Sequence, residues 1–206
     1  MAKQRIVSKF KQNRSAKTQQ KIIEAAEDCF CRNGYFGSSI QKLAAAADVS
    51  VGSFYFYFKD KDELMVEVYR RQSEKFIQTV CGALQKTNQY RENRKAWLRE
   101  FILDLLKTYG DSGKLRLELK ALNCANPRFN LQRKQIKEET VARIMEAAEN
   151  SLMKYDLKVR YPQTALLLTI DMADSTYERI ADEDSETCRE ESIEECLDAV
   201  YKYLFL

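Results

Sequence analysis

Apolar residues recur at helical spacing through nearly the whole chain, and this feature constrains the fold more than any other. Between residues 97 and 109, for example, they repeat at i, i+1, i+4 and i+5, which places them on one face of a helix. Turn-forming residues are scarce, because the 206 residues include only 6 Gly and 2 Pro, too few for a many-stranded sandwich or barrel. The sequence therefore predicts an all-α fold with about nine helices.

Capping signals divide this pattern into separate helices. Ser38 with Gln41, and Asp60 with Glu63, have the spacing of capping boxes. The five consecutive aromatic residues 54–58 favour a strand by propensity, but no neighbouring segment offers a pairing partner, so we predict a helix there. The first predicted helix ends at residue 33. Further helices are predicted at about 40–46, 50–58, 60–84, 97–109, 114–123, 127 onward, 162–180 and 185–204.

The residue types that many catalytic sites require are missing from the sequence. The chain contains no histidine, which excludes Ser-His and Cys-His nucleophilic catalysis and histidine-ligated zinc or haem. None of the 6 cysteines forms a CxxC pair, so we expect reduced cysteines, no disulfide framework and no metal. No glycine-rich phosphate loop is present either, and no cofactor is expected. These features argue against an enzyme.

No apolar window approaches the roughly 20 residues that cross a bilayer, and the N-terminus has no leader-type apolar region. We therefore expect a cytoplasmic protein with no membrane partner. Charge is distributed unevenly, although the net charge is only +3. Residues 1–21 contain seven basic residues and no acidic one, whereas residues 182–195 contain eight acidic residues and a single arginine. The first segment suits a polyanion such as nucleic acid, and the second repels it.

Residues 15–65 have the organisation of a helix-turn-helix: one helix, then two short helices separated by a tight turn, the second of which enters the DNA major groove. They contain the run NGYFGSSIQKLAAAADVSVGSFYFYFKDKDEL. In this run the sequence resembles the TetR-type (AcrR-like) transcriptional regulators over about a quarter of the chain. The matching residues are Gly34-Tyr35, Ser38-Ser39-Ile40, Leu43-Ala44, Ala47, Val49-Ser50, Gly52, Tyr55, Phe58, Lys61 and Leu64.

The resemblance implies a division of the chain into three parts. These are a basic N-terminal arm at 1–14, a three-helix helix-turn-helix DNA-binding domain at 15–60, and a larger helical ligand-binding and dimerisation domain at 61–206, whose first long helix spans about 61–84. It also implies a function: a dimeric repressor that binds a pseudo-palindromic operator in double-stranded DNA and is released by a small molecule.

The matched region also implies which residues meet DNA. Ser38 and Ser39 would expose hydroxyls at a helix N-terminus, where they suit a phosphate oxygen. Phe56 could contact a thymine methyl group, and Lys61 is expected to clamp a phosphate. The predicted DNA-binding residues are Ser38, Ser39, Gln41, Ser50, Val51, Gly52, Ser53, Tyr55, Phe56, Tyr57 and Lys61.

Two residues depart from the family pattern. Asp48 stands at a turn position where the family usually has glycine, and aspartate tolerates the left-handed conformation, so we expect the turn to survive. Val51 stands where members often carry lysine or another polar residue, which favours methyl recognition over a polar contact. The operator sequence does not follow from these residues.

The larger C-terminal part has little sequence signature. Family resemblance points to dimerisation through the last two helices, whose apolar stripes include Leu166, Thr169, Ala173, Ile193, Leu197 and Val200. Acidic residues among aromatic ones predict a pocket for an aromatic or cationic small molecule. The candidate ligand-binding residues are Trp97, Phe101, Asp104, Tyr109, Asp174 and Tyr177.

A helical protein–protein interaction module without DNA activity is the alternative function. The basic arm and the register of the helix-turn-helix argue against it, and a salt-sensitive shift of duplex DNA would discriminate between the two. An enzyme using lysine or paired carboxylates is a third possibility, which the missing catalytic motifs disfavour.

Overall fold

The computed structural model describes residues 2–86, 93–112, 115–116, 118–119, 122, 126–152, 157–181 and 183–206. This part of the chain forms eight helices and no strand, which confirms the all-α prediction, including a helix through the aromatic run. Half of the helix predicted at 114–123 lies outside the described residues, and its described residues, 115–116, 118–119 and 122, are helical. The helices are α1 (Ala2–Asn33), α2 (Ile40–Ala46), α3 (Val51–Tyr57), α4 (Lys61–Lys86), α5 (Arg94–Asp111), α6 (Pro127–Leu152), α7 (Pro162–Ala181) and α8 (Glu186–Phe205).

The helices belong to two compact units. The first unit consists of Met1–Arg71 together with Gly113–Lys134, and the second consists of Gln72–Ser112 together with Gln135–Leu206. The helices α4 and α6 each contribute residues to both units. The first unit therefore contains the predicted helix-turn-helix and, in addition, residues 61–71 and 113–134.

A small aromatic core holds α1, α2 and α3 together. Phe30 of α1, Leu43 of α2 and Phe54 of α3 are completely buried, and Phe58 is 1% exposed. The rings of Phe54 and Phe58 lie 5.9 Å apart in a tilted arrangement, which is favourable for an aromatic pair. Burial of these large side chains stabilises short helices that would not persist alone.

The turns between these helices follow the local signals, with one correction. Asp48 adopts a positive φ of 51°, as expected for the turn between α2 and α3. The Ser50 side chain accepts a hydrogen bond from the Ser53 N–H at 3.0 Å and caps α3, as predicted. Ser38 does not cap α2: its hydroxyl donates to the Gly34 carbonyl at 2.8 Å, and the N-cap is Ser39. The Ser38 side chain is thus hydrogen-bonded to the residue that follows α1 and not to the start of α2.

The second unit is a helical bundle in which α5 packs against α7 and α8. The Trp97 ring is buried, and its indole N–H donates to the Ala83 carbonyl at 3.0 Å. At the other end of α5, the Tyr109 hydroxyl donates to the Ile170 carbonyl at 3.4 Å. Among the described residues, none of these helices is long and apolar enough to cross a membrane.

Candidate nucleic-acid interface

The exposed face of α3 carries four of the predicted DNA-binding residues. At 100° per residue, Val51, Gly52, Tyr55 and Phe56 fall within one arc of the helix, and Phe54 points away from it. The structure agrees with this arrangement, because Phe56 is 78% exposed and Tyr55 53% exposed, whereas Phe54 is buried. An added Cβ at Gly52 would meet only the Ser50 hydroxyl, at 3.8 Å, so the backbone there is open to an approaching molecule. This face, defined by these four residues, is hereafter the α3 face.

Polar and basic residues lie in the segments next to the α3 face. Ser39, Gln41 and Ser50 are exposed, as their proposed contacts with DNA require. Two lysines that the sequence reasoning missed, Lys42 and Lys59, are exposed as well. The signal that could have found them is their position, since each lies within a few residues of a predicted contact and carries a charge that suits a phosphate.

Three predicted contacts are less accessible than expected. Ser38 is only 2% exposed, so the expectation of an exposed hydroxyl at this residue is wrong. Ser53 and Tyr57 are half-buried, because they lie on the side of α3 that turns towards Phe54. The residues best placed to meet a duplex are therefore those of the α3 face, together with Ser39, Gln41 and Ser50.

Lys61 has an internal environment that the sequence did not reveal. Its ammonium donates to the Tyr35 carbonyl at 2.8 Å and to the Ser38 carbonyl at 3.0 Å. It also lies 3.9 Å from the centre of the Tyr35 ring, a cation–π distance. Burial lowers the pKa of this ammonium, against the opposing influence of the Asp62 and Glu118 carboxylates. The ammonium thus ties the start of α4 to the turn between α1 and α2, so its predicted role as a phosphate clamp competes with a structural one.

The predicted ligand-binding residues separate into two groups. Trp97 and Phe101 stack on each other, with ring centres 5.7 Å apart. Tyr109 instead contacts Tyr177, with ring centres 5.9 Å apart, and stacks on Phe76. Because a helix rises 1.5 Å per residue, the two groups lie at ends of α5 roughly 18 Å apart. The structure therefore does not bring the six residues into one aromatic pocket.

Grooves on the surface of the second unit have a different lining. One groove of about 380 Å³ and another of about 370 Å³ share Gln78, Thr79, Thr108 and Asp111. Asp104 lines the second groove and is the only predicted ligand-binding residue on either of the two. The aromatic residues predicted to hold a ligand are instead part of the packing around α5.

The residues predicted for the dimer interface are mostly inside the chain's own core. Leu166, Thr169, Ala173, Leu197 and Val200 are all buried within the second unit, and Ile193 packs against its core. Their apolar stripes are explained by contacts among α5, α7 and α8 of a single chain. An interface on α7 and α8 would have to use the opposite faces of these helices.

The first unit contains a helix-turn-helix, and comparisons with known proteins show what this region is similar to. Residues 22–68 match the family described as bacterial regulatory proteins, tetR family. A solved structure from Mesorhizobium loti, proposed to be a TetR-family transcriptional regulator, superposes with a TM-score of 0.72 at 20% identity, over 94% of this chain and 99% of that one. Residues 22–68 are therefore similar to the tetR family, and the chain shares the fold of this solved structure.

Curated relatives match part of the chain. The chain is 35% identical over 57 residues to the fatty acid metabolism regulator protein of Bacillus subtilis, which covers 28% of this chain and 29% of the relative. It is 32% identical over 63 residues to the HTH-type transcriptional repressor AcnR of Corynebacterium efficiens, which covers 31% and 34%. The chain thus spans about a third of the length of these relatives. Both names describe regulators.

Proposed function

We propose that this protein is a DNA-binding transcriptional regulator, most simply a repressor that binds a pseudo-palindromic operator as a homodimer. The observation that carries the proposal is the exposed α3 face within a helix-turn-helix similar to the tetR family. Tyr55 and Phe56 contact the rings of their neighbours Phe54 and Tyr57 on this seven-residue helix, yet both remain more than half exposed. A regulator of operator DNA acts where that DNA is, so the proposal places the protein in the cytoplasm.

The chemistry of the α3 face suggests how bases are read. No residue of Val51–Tyr57 is charged, so recognition would come from apolar contact and hydroxyl groups. Phe56 and Val51 suit the thymine methyl group in the major groove, and the Tyr55 hydroxyl can donate to a phosphate or base acceptor. Exposed lysines beside this face, Lys42 and Lys59, would supply the electrostatic part of the affinity.

Selection of duplexes from a random-sequence pool by the purified protein tests this proposal. We expect enrichment of a site with two related half-sites, and a salt-dependent affinity for it. Phe56→Ala should weaken binding to the enriched duplex by about 1–3 kcal/mol and relax preference at one base position per half-site. Leu131→Ala is the matched control, because Leu131 is 72% exposed in the same unit but lies on α6. Equal affinity of the Phe56 and Leu131 variants for the enriched duplex contradicts the proposed reading face.

We also propose that the homodimer forms through the outer faces of α7 and α8. Leu168 on α7 is 45% exposed and Tyr203 on α8 is 43% exposed, and both lie on faces that the chain's own core leaves uncovered. Dimerisation would place one α3 in each half-site of a two-fold operator. A monomeric mass for the purified protein at micromolar concentration, measured by sedimentation, excludes this part of the proposal.

Control by a small-molecule effector is the last part of the proposal, with an aromatic or cationic compound as the expected class. The site would lie in the second unit at the two surface grooves, where Asp111 lines both grooves and Asp104 lines one of them. If such a compound weakens operator binding, linkage requires the operator to weaken binding of the compound by the same factor. Calorimetric titration with and without the enriched duplex measures both quantities, and equal affinities exclude the compound as an effector.

A further inference from the structure

The turn between α1 and α2 is held by residues that lie outside the segment matching the family. Gly113–Lys134 forms part of the first unit, although it is distant in sequence from the helix-turn-helix. Within this segment, a Glu118 carboxylate oxygen accepts the Phe36 N–H at 3.1 Å. The same carboxylate packs so closely on Gly34 that an added Cβ would come within 2.0 Å of it. The turn therefore rests against Glu118 at two neighbouring residues.

Asp62 joins this turn to the start of α6. One of its carboxylate oxygens accepts the Tyr35 hydroxyl, and the other accepts the Asn126 side-chain amide at 2.6 Å. The Asn126 side-chain oxygen accepts the Phe129 N–H at 3.0 Å, so Asn126 also caps α6. Every oxygen of the pair has a donor, and the bridge spans 64 positions of sequence. Hydrogen bonds to a charged acceptor are stronger than neutral ones, which makes this a stiff connection.

We propose that Asp62 and Asn126 are positioning residues for DNA binding, an inference that rests on the proposed function. Tyr35 is held at three points: its hydroxyl by Asp62, and its ring and carbonyl by Lys61. The turn that begins at Tyr35 leads directly into Ser39, the exposed N-cap of α2. Without the bridge, Asn126 no longer fixes the Asp62 carboxylate, which then holds the Tyr35 hydroxyl less firmly. The orientation of α2 relative to α4 is then less well defined. The segment Gly113–Lys134 thereby sets the DNA-binding geometry of a region to which it does not belong in sequence.

An exchange of the two side chains tests the bridge in the full-length protein. Asp62→Asn alone removes the charged acceptor. The amide at position 62 then either sets its NH2 group against that of Asn126 or turns it towards the Tyr35 hydroxyl, which must accept instead of donate. Asn126→Asp alone sets two carboxylates against each other. In the double variant Asp62→Asn/Asn126→Asp, the new amide at position 62 accepts from Tyr35 and donates to the new carboxylate at position 126, which still accepts from Phe129. The exchange therefore restores every hydrogen bond at unchanged net charge.

The readout is the affinity for the duplex that the wild-type protein enriches from a random pool, measured by fluorescence anisotropy well below the melting temperature. We expect each single variant to bind about tenfold or more weakly, and the exchanged pair to recover most of this loss. The loss for Asp62→Asn is diagnostic, because removing a negative charge from a DNA-binding unit would by electrostatics alone strengthen binding. The slope of affinity against salt should stay at its wild-type value in all three variants, since neither residue contacts a phosphate.

Three results overturn the inference. In the first, the single variants fold and bind the duplex like wild type but have a lower melting temperature, which shows that the bridge contributes only to stability. A double variant as weak as the singles shows that the pairing itself is not what matters. A wild-type protein that binds no duplex overturns the proposed function and this inference together, whereas the first two results leave the proposed function standing. If both single variants fail to fold, Asn126→Ser takes their place. Its hydroxyl oxygen can still cap α6, but its side chain is too short to reach Asp62. Wild-type affinity for the duplex in that variant also refutes the positioning role of the bridge.

Discussion

Replacement of Lys61 by methionine separates a phosphate contact from an internal support. Lys61→Met removes the ammonium and keeps an apolar stem of similar length, so that packing on the Tyr35 ring is largely preserved. The lost interactions are two hydrogen bonds to backbone carbonyls, at 2.8 Å and 3.0 Å, and one cation–π contact. Hydrogen bonds from a charged donor contribute about 1.5–3 kcal/mol each when shielded from water. Because Lys61 is only half-buried, we discount this sum and expect a loss of about 2 kcal/mol in the free energy of unfolding.

Two measurements read the outcome. A loss of about 2 kcal/mol corresponds to a fall of about 4–8 °C in Tm for a chain of this length. In DNA titrations at several salt concentrations, an internal role leaves the slope of log affinity against log salt unchanged, although the affinity falls. A phosphate contact instead flattens that slope by about 0.9 per lost contact, or about 1.8 for a dimer. Lys59→Met is the matched control, because it removes the same charge from an exposed lysine two residues away.

The internal role of Lys61 is refuted if Lys61→Met keeps the wild-type Tm while the salt slope flattens. That combination would mean that the two carbonyls and the Tyr35 ring gain nothing from the ammonium, and that its partner is a phosphate. If Lys59→Met flattens the slope and Lys61→Met does not, the neighbouring lysine makes the phosphate contact.

Three further predictions concern stability. Arg71→Met removes the guanidinium that contacts the Glu27 carboxylate at 2.7 Å, and Glu27 is only 6% exposed. We expect the free energy of unfolding, measured by urea denaturation, to fall by about 3 kcal/mol. A change below about 0.5 kcal/mol contradicts this prediction. Burial and the hydrogen bond to the Asp62 carboxylate raise the pKa of Tyr35, so the unfolded chain loses this proton first as the pH rises. The stability that Tyr35 contributes is therefore present below about pH 10 and falls above it. Above that pH the wild type should lose stability faster than Tyr35→Phe, and parallel pH profiles of the two proteins refute this prediction. Leu197→Asp should unfold the second unit, because Leu197 is 1% exposed, whereas Leu168→Asp should yield a folded monomer. Circular dichroism reports the folding of both variants, and sedimentation reports their mass. A folded Leu197 variant contradicts the assignment of Leu197 to the core.

Local sequence patterns were sufficient for the fold class and for the helix-turn-helix. Helical periodicity and capping residues act within a few positions of each other, and their effect is therefore readable without tertiary contacts. Ser50 caps α3 as predicted, and Asp48 takes the left-handed conformation that the turn requires. The aromatic run was ambiguous by propensity alone, and it forms a helix because Phe54 and Phe58 are buried in the core of the unit.

Periodicity was insufficient wherever the question was which surface covers an apolar face. The stripe containing Leu197 and Val200 was correctly apolar, but its partners are α5 and α7 of the same chain, and a pattern on one helix carries no information about its neighbour. In the same way, Trp97 and Tyr109 share a face of α5, yet each packs with different residues at a different end of it.

Tertiary structure alone decided the polar contacts that hold the first unit together. By itself, the sequence determined an all-α chain with a helix-turn-helix that resembles the TetR type, because those features depend on residues close together along the chain. It did not show that Lys61 turns inward, or that Asp62 meets Asn126 across 64 positions. Such pairs form only when folding brings distant segments together, and a polar residue that is solvated in one fold is bonded and buried in another. The composition of the α3 face was therefore readable from the sequence, whereas the means by which the protein holds that face in place was not.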